Sequence, residues 1–448
     1  MLDAAVAKLK ELKGEEVDLK TWMHIIAVEC LGAVVLGWSP GYIKAGSDGG
    51  TSTQGYLGWK RKSVFGLFPA ITKLGFLEGP WNTGLGEKVG KGITRWWSNA
   101  WGVTFATPKN FKPFFTPVYQ RISKRINAAL KGEVVDPRAK ASKKNKAAKA
   151  KEGERRKDLL EDLINLHKFK PHLFTETYLR RMATTNFGAG HETLCSALTA
   201  CLAMIGSHPA VQDRVAQEVG PHLKETGTVP FDATAKELKY TLAAIKEAQR
   251  LHPVIAMSLS RTVPRTMTKE GAGGGGTVIN GYWIPSGTTV GCNPVALHRN
   301  REIFGEDAGR YNPDRWLPGG GRAVSIAASG SKADADSDLK PISDLTTTPD
   351  TGSNPASNHS TSNLEEDDAD RKRLREMLHL NLTYGGAPRT CPGRHLAELI
   401  VWKVVPRLIA EFKVEVTRMP EDEEGERFFM SMLTGVGVRF LERGQESE

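Results

Sequence analysis

One segment near the C-terminus constrains this chain more than any other: Thr383-Tyr384-Gly385-Gly386-Ala387-Pro388-Arg389-Thr390-Cys391-Pro392-Gly393-Arg394-His395-Leu396-Ala397. Its glycines and prolines forbid continuous helix or strand, while Leu396, Leu399, Ile400 and Leu408 recur at helical spacing beyond it. The chain must therefore deliver one cysteine, on a loop, to the start of a helix, with Pro392 suited to the first helical turn. At that place the positive end of the helix dipole and the nearby arginines favour a thiolate. Small residues on either side would let the backbone approach a flat cofactor and point N–H groups at the sulfur. A structural turn has the same composition, so the segment alone leaves both readings open.

The composition decides which frame surrounds this loop. The chain has 448 residues, with 61 Lys+Arg against 51 Asp+Glu for a formal net charge of +10, and 40% hydrophobic and 25% charged residues. Those values suit a soluble globular protein and exclude a fibrous or wholly disordered one. Cys30, Cys195, Cys201, Cys292 and Cys391 are scattered and form no C-x-x-C. That spacing argues against a disulfide scaffold or a four-cysteine zinc site and fits a reducing compartment. Two glycosylation sequons, at Asn358 and Asn381, are short enough to arise by chance. The N-terminus has no basic cap followed by an apolar run, so no signal peptide is read. Trp22 to Trp38 is the most apolar long stretch, but with His24 and Glu29 inside it reads as a buried helix and not as a membrane span.

Two segments stand apart and are read as insertions. The first, over 139–157, carries nine basic residues between Lys140 and Lys157 against Glu152 and Glu154, and such a run stays solvated by its own repulsion. No aromatic interleaving accompanies it, so no nucleic-acid partner is inferred. The second, over 318–370, is rich in Ser, Thr, Asp, Ala, Asn, Gly and Pro and is expected to be a disordered, low-complexity insertion. Gly271 to Gly276 formally fits G-x-G-x-x-G, but β-branched residues and not a helix follow, so it is read as a turn. Elsewhere the periodicity is mainly helical, with short strands expected at Thr277-Val278-Ile279, Tyr282-Trp283-Ile284 and Gly437-Val438-Arg439-Phe440.

The cysteine segment resembles the heme-binding signature of the cytochrome P450 family, aromatic-x-x-Gly-x-Arg-x-Cys-x-Gly. Arg389, Cys391 and Gly393 match; Tyr384 stands where the family usually has Phe, and Ala387 where it usually has Gly. Three further motifs follow the family's order. Gly188-Ala189-Gly190-His191-Glu192-Thr193 resembles its central helix motif. Glu247-Ala248-Gln249-Arg250 is a Glu-x-x-Arg pair, which the family joins to an arginine such as Arg315 in Asn312-Pro313-Asp314-Arg315-Trp316. The stretch from Leu251 to Arg261 resembles the segment that passes the substrate pocket and returns an arginine to a heme propionate.

The resemblance implies a mainly α fold with small β-sheets, a single catalytic domain over 1–448. It implies heme b as cofactor, with Cys391 as the axial iron ligand, Arg389 and Arg261 on the propionates, and Gly393 in the ligand loop. Ala189 and Gly190 would make room for O2, Thr193 would hydrogen-bond it, and Glu192 would relay protons from solvent, in a helix expected to bulge at the glycine. Glu247, Arg250 and Arg315 would form a structural lock. Val254, Ile255, Ala256, Met257 and, from the C-terminal loop, Leu433 would line a pocket for an apolar small molecule.

The implied activity is monooxygenation, hydroxylating or epoxidising that substrate with O2 and electrons from an NADPH-cytochrome P450 reductase. The style of the motifs is that of fungal microsomal members, many of which act on terpenes or polyketides, so a cytosolic-face endoplasmic reticulum membrane location is expected. The apolar residues from Tyr56 to Val118 fit a peripheral membrane contact and core packing equally well. The resemblance begins near Asp18, with no counterpart for the family's anchor and first helices and strands, so the chain is expected to be N-terminally truncated. Two other functions stay open: a catalytically inactive heme-binding or interaction protein, and a reductase-independent heme-thiolate isomerase, whose relatives usually lack a Thr193-type residue.

Overall fold

In a computed structural model of the chain, the helix Leu19–Leu36 begins where the Asp18 carboxylate accepts from Thr21 N and Thr21 Oγ1, each at 2.8 Å. It ends at Gly37, whose φ of +54° turns the chain so that Trp38 N donates to Gly32 O at 2.9 Å. Because it is apolar all round, this helix must be covered on every side. By length and composition it could cross a membrane, but here it is largely buried, as the Trp22 to Trp38 pattern led one to expect. The described residues are 1–49, 112–132, 158–264, 275–320, 361–386, 389–420, 426–427 and 430–444. The basic run over 139–157, the glycine run at 271–274, Ala387 and most of 318–370 and 56–118 lie outside them.

Two compact units divide the chain. The first contains Met1–Thr234, Pro392–Phe428 and Met432–Glu448. Its long helix, Glu176–Gly206, packs more extensively on Leu19–Leu36 than on any other element. The half beyond Leu194 is buried without interruption, as expected of a central helix. Where it ends, Gly206 allows the strand Phe412–Arg418 to approach: an added Cβ would lie 3.0 Å from Val416 and 3.1 Å from Val414. That strand alternates Phe412 and Val414 inward with Lys413 and Glu415 outward. It pairs antiparallel with the expected C-terminal strand, Gly437–Glu442, which in turn pairs with Val17–Asp18. Gln212 closes the other side of Val414, donating to its carbonyl at 3.0 Å and accepting from its N–H at 2.6 Å.

The second unit contains Ala235–Cys391 and Phe429–Ser431. Its core joins Ala243 of the helix Lys239–Leu251 to Phe304, Ala308, Trp316, Leu374 and Met377. Gly276–Ile279 and Tyr282–Pro285, the two expected strands, pair as a hairpin closed by Asn280 and Gly281 at φ +49° and +80°. A second small sheet pairs Arg261–Thr262 with Thr289–Val290.

The helix Thr361–Leu380 corrects one boundary: composition placed 361–370 in a disordered insertion, and the backbone there is helical. The reason is anchoring, since Asp370 accepts from Gly319 N at 2.7 Å and Arg373 Nη1 donates to Arg315 O at 3.0 Å. The described residues are thus mainly helical with small antiparallel sheets.

Candidate functional site

The best-defined constellation is built on the i, i+3 spacing of Glu247 and Arg250. Glu247 and Arg250 are both 0% exposed. The Glu247 carboxylate accepts five hydrogen bonds. Its Oε1 receives Arg250 Nη2 at 2.7 Å, Arg315 Nε at 2.8 Å and Asn312 N at 3.0 Å. Its Oε2 receives Arg250 Nε at 2.8 Å and the Trp316 indole at 2.9 Å. The remaining guanidinium hydrogens are spent on carbonyls: Arg250 donates to His298 O and, at 2.6 Å, to Ala308 O, while Arg315 donates to Phe304 O. Asp307 Oδ1 adds an ion pair to Arg315 Nη1 at 2.9 Å. The three sequence-predicted residues of the lock therefore meet.

His298 belongs to the same assembly, and sequence reasoning gave it no role. Its Nδ1 lies 2.9 Å from Arg250 O, which can only accept, so Nδ1 carries the hydrogen. Its Nε2 is then free to accept from Leu382 N at 2.8 Å. One imidazole thus ties the end of the helix Lys239–Leu251 to the 3-10 turn Leu382–Tyr384 that opens the cysteine loop. Burial pushes this imidazole down to about 4, so it is neutral and keeps that acceptor at neutral pH. The available signal was the likeness of Ala296-Leu297-His298-Arg299-Asn300 to the family's run before Pro313, which assigned the histidine no role.

Beyond that turn the loop is held by its own backbone. Gly385, at φ +79°, lets Arg389 N donate to Gly386 O at 2.8 Å, and Cys391 N donates to Tyr384 O at 2.8 Å. Cys391 is exposed, as are Arg389, Gly393 and Arg261. The helix that follows starts at Arg394 with Gly393 as its cap, so Pro392 precedes the helix and does not occupy its first turn. Pro392 and Gly393 instead form the turn that leads into it. Arg261 meanwhile donates to its own neighbours, Leu259 O at 2.9 Å and Ser260 O at 3.0 Å.

Of the expected pocket residues, Val254 and Ala256 are buried, Ile255 is half-buried and Met257 is exposed. Their segment is joined to the C-terminal loop: Ser431 N donates to Val254 O at 2.9 Å, and Ile255 pairs with Met430. Leu433, farther along that loop, is buried in the first unit.

On the long helix the motif splits between two faces. Ala189 is exposed and Thr193 half-buried, whereas His191 and Glu192 are 3% and 2% exposed. The Thr193 hydroxyl donates back to Ala189 O at 2.8 Å and lies 3.2 Å from Gly190 O. The helix is regular through Gly190, without the expected bulge. An added Cβ at Gly190 would lie 3.1 Å from Leu31, so this glycine admits a neighbouring helix. Glu192 faces histidines and not water: its Oε1 is 3.9 Å from His24 Nε2 and 3.7 Å from His191 Nε2.

Comparison with known proteins agrees with this arrangement. The cytochrome P450 family model matches residues 76–330. A cytochrome P450 monooxygenase of Sordaria araneosa, sdnT, is 51% identical across 99% of this chain and 68% of its own length. The chain belongs to the cytochrome P450 family.

The cytochrome P450 monooxygenase cicH of Emericella nidulans is 29% identical over 54% of this chain and 37% of its own length. A pisatin demethylase of Fusarium vanettenii is 37% identical over 32% of this chain and 26% of its own length. The chain therefore spans about two thirds of the first relative's length and matches well under half of the other two. Membership in the cytochrome P450 family makes this an oxidoreductase and implies heme b. The second unit carries the matching donors: the exposed Cys391 thiol on a fixed loop for iron, and the exposed guanidinium groups of Arg261 and Arg389 for carboxylates. Cys30, Cys195 and Cys201 offer no alternative, because burial pushes all three thiols up to about 12, and the exposed Cys292 lies outside the signature that surrounds Cys391.

Proposed function

We propose that this chain is a heme-thiolate monooxygenase of fungal secondary metabolism that hydroxylates or epoxidises an apolar small molecule, of terpene or polyketide type. The observation that carries this reading is the exposed Cys391, held by Tyr384 O on a loop that His298 ties to the buried lock. Cys391 would hold the iron, and Arg389 and Arg261 would hold the propionates. Heme, when bound, supplies the O2 activation and substrate oxidation that no side chain can perform.

The chain's own residues bind, orient and move protons. Val254, Ile255, Ala256, Met257 and Leu433 would bind the substrate by removing apolar surface from water. The Thr193 hydroxyl, which donates to the Ala189 carbonyl, would be the hydrogen-bond donor for O2, and the Glu192 carboxyl would hold and pass on protons drawn from solvent. Electrons would come from an NADPH-cytochrome P450 reductase, whose acidic docking face would suit a chain of net charge +10. The cytosolic face of the endoplasmic reticulum is the matching location. Sequence similarity to sdnT and cicH supports the oxidative reading and leaves the substrate to experiment.

The test is the absorption spectrum of the dithionite-reduced protein under carbon monoxide, with Cys391→Ser beside it. A red-shifted Soret band that the substitution removes is expected. A band that survives the substitution, or a folded protein that takes up no heme, overturns the proposal.

A further inference from the structure

The pairing of the helices Leu19–Leu36 and Glu176–Gly206 brings together a second group of donors. His24 comes from the first helix and His191 and Glu192 from the second, and one ligand atom from each lies within 4.8 Å of the others. His24 is 1%, His191 3% and Glu192 2% exposed. Neither carboxylate oxygen of Glu192 accepts a hydrogen bond, although both are buried. A buried carboxylate in that state is costly unless a cation answers it.

The hydrogens on the two rings sharpen the point. His191 Nδ1 is 2.8 Å from Gly188 O, and His24 Nδ1 is 3.0 Å from Asp48 Oδ2. The Gly188 carbonyl can only accept, so His191 Nδ1 carries the hydrogen between them, and the Nε2 atoms of both rings lie on the Glu192 side. Two imidazole nitrogens and a carboxylate oxygen therefore converge on one point.

We infer that His24, His191 and Glu192 form a divalent-cation site, and that zinc is the ion its donor set favours. Two imidazoles and one carboxylate are a zinc donor set that leaves a fourth position for water. Bonds of about 2.0–2.1 Å in a tetrahedron place ligand atoms about 3.4 Å apart. The separations from Glu192 Oε1, 3.9 Å to His24 and 3.7 Å to His191, exceed that by a few tenths of an ångström, and all three ligand atoms lie within 4.8 Å of one another. Asp48, 3.0 Å from His24 Nδ1, and the Gly188 carbonyl, which accepts from His191 Nδ1, stand where outer partners of metal-bound histidines stand. The two ring centroids lie 6.0 Å apart on packed helices, which keeps the donors close before any ion arrives. The site is separate from the heme donors, and an ion held there would occupy the carboxylate that the proposed oxidation assigns to proton transfer.

The full chain, purified with heme, is incubated with zinc, freed of excess metal by gel filtration, and counted for zinc and iron by elemental mass spectrometry. Iron reads the heme and zinc reads this site, so failure of one reading leaves the other visible. About one zinc per chain is expected, with X-ray absorption at the zinc edge showing two imidazoles in its shell. His24→Gln and His191→Gln are expected to lose the ion, exposed His172→Gln to keep it, and Asp48→Asn to weaken it by about 10–100-fold. Folded protein that retains no zinc overturns the inference, as does equal retention in His24→Gln and His191→Gln. If those two variants do not fold, Glu192→Gln and the absorption edge of the parent decide in the same way.

Discussion

Glu247→Gln is the substitution whose cost the structure fixes most closely. The side chain keeps its size, so no cavity forms and the effect is electrostatic. Five donors now point at the carboxylate. The amide offers one oxygen to them and turns an NH2 group against the rest. At the same time the buried site loses its central negative charge while Arg250, 0% exposed, and Arg315, 3% exposed, keep their positive ones. Asp307 can still answer Arg315 through its 2.9 Å contact, but no other carboxylate is paired with Arg250 among the described residues.

Removing one partner of a buried, hydrogen-bonded ion pair costs about 3–5 kcal/mol, because the other charge stays buried. For a cooperative unit of 150–250 residues, that corresponds to a fall in Tm of about 6–20 °C. Urea and thermal denaturation followed by circular dichroism measure it. Glu176→Gln serves as the comparison: it breaks the 2.7 Å pair to Arg180, whose side chains are 26% and 49% exposed, and should cost less than about 1 kcal/mol. If Glu247→Gln costs no more than Glu176→Gln, burial and donor count do not govern this site and the lock reading fails.

Two further outcomes follow from named contacts. His298 has a folded value near 4 against an ordinary 6.5, so the unfolded chain binds the extra proton between those values and stability falls as pH drops from about 6.5 to 4. The contribution is about 3 kcal/mol at neutral pH. His298→Gln should flatten that part of the stability–pH curve, and an unchanged slope in urea titrations would refute the neutral-imidazole account. Gly32→Ala would place a Cβ 2.5 Å from the Trp38 carbonyl oxygen, closer than real contacts allow. A loss of about 1–3 kcal/mol is expected from the forced backbone shift, and a thermal midpoint equal to the parent's would show that the helix end can yield.

Much of the outline was legible because it rests on local chemistry. The two strands over 276–285 followed from β-branched and aromatic residues between turn residues, and the buried helix Leu19–Leu36 from the apolar stretch Trp22 to Trp38. Glu247, Arg250 and Arg315 were named from motif order, and their meeting follows from an i, i+3 pair and a short turn that returns to it. Where local signals competed with anchoring, the sequence misled: 361–370 has the composition of a solvated tail, yet Asp370 and Arg373 fasten its helix to Gly319 and Arg315.

Other features belong to tertiary structure alone. No spacing relates His24 to His191 and Glu192, which are separated by most of the first unit and become neighbours only because Leu19–Leu36 and Glu176–Gly206 are the most extensively packed helices. The role of His298 depends on two backbone groups, Arg250 O and Leu382 N, that any sequence would supply. Gly190 reads as a vacancy beside the Thr193 hydroxyl, and packing fills its open side with Leu31. Periodicity and turn chemistry act between neighbours in the chain and so can be read from it. Burial and the convergence of donors act between distant residues, and only the packed fold sets them.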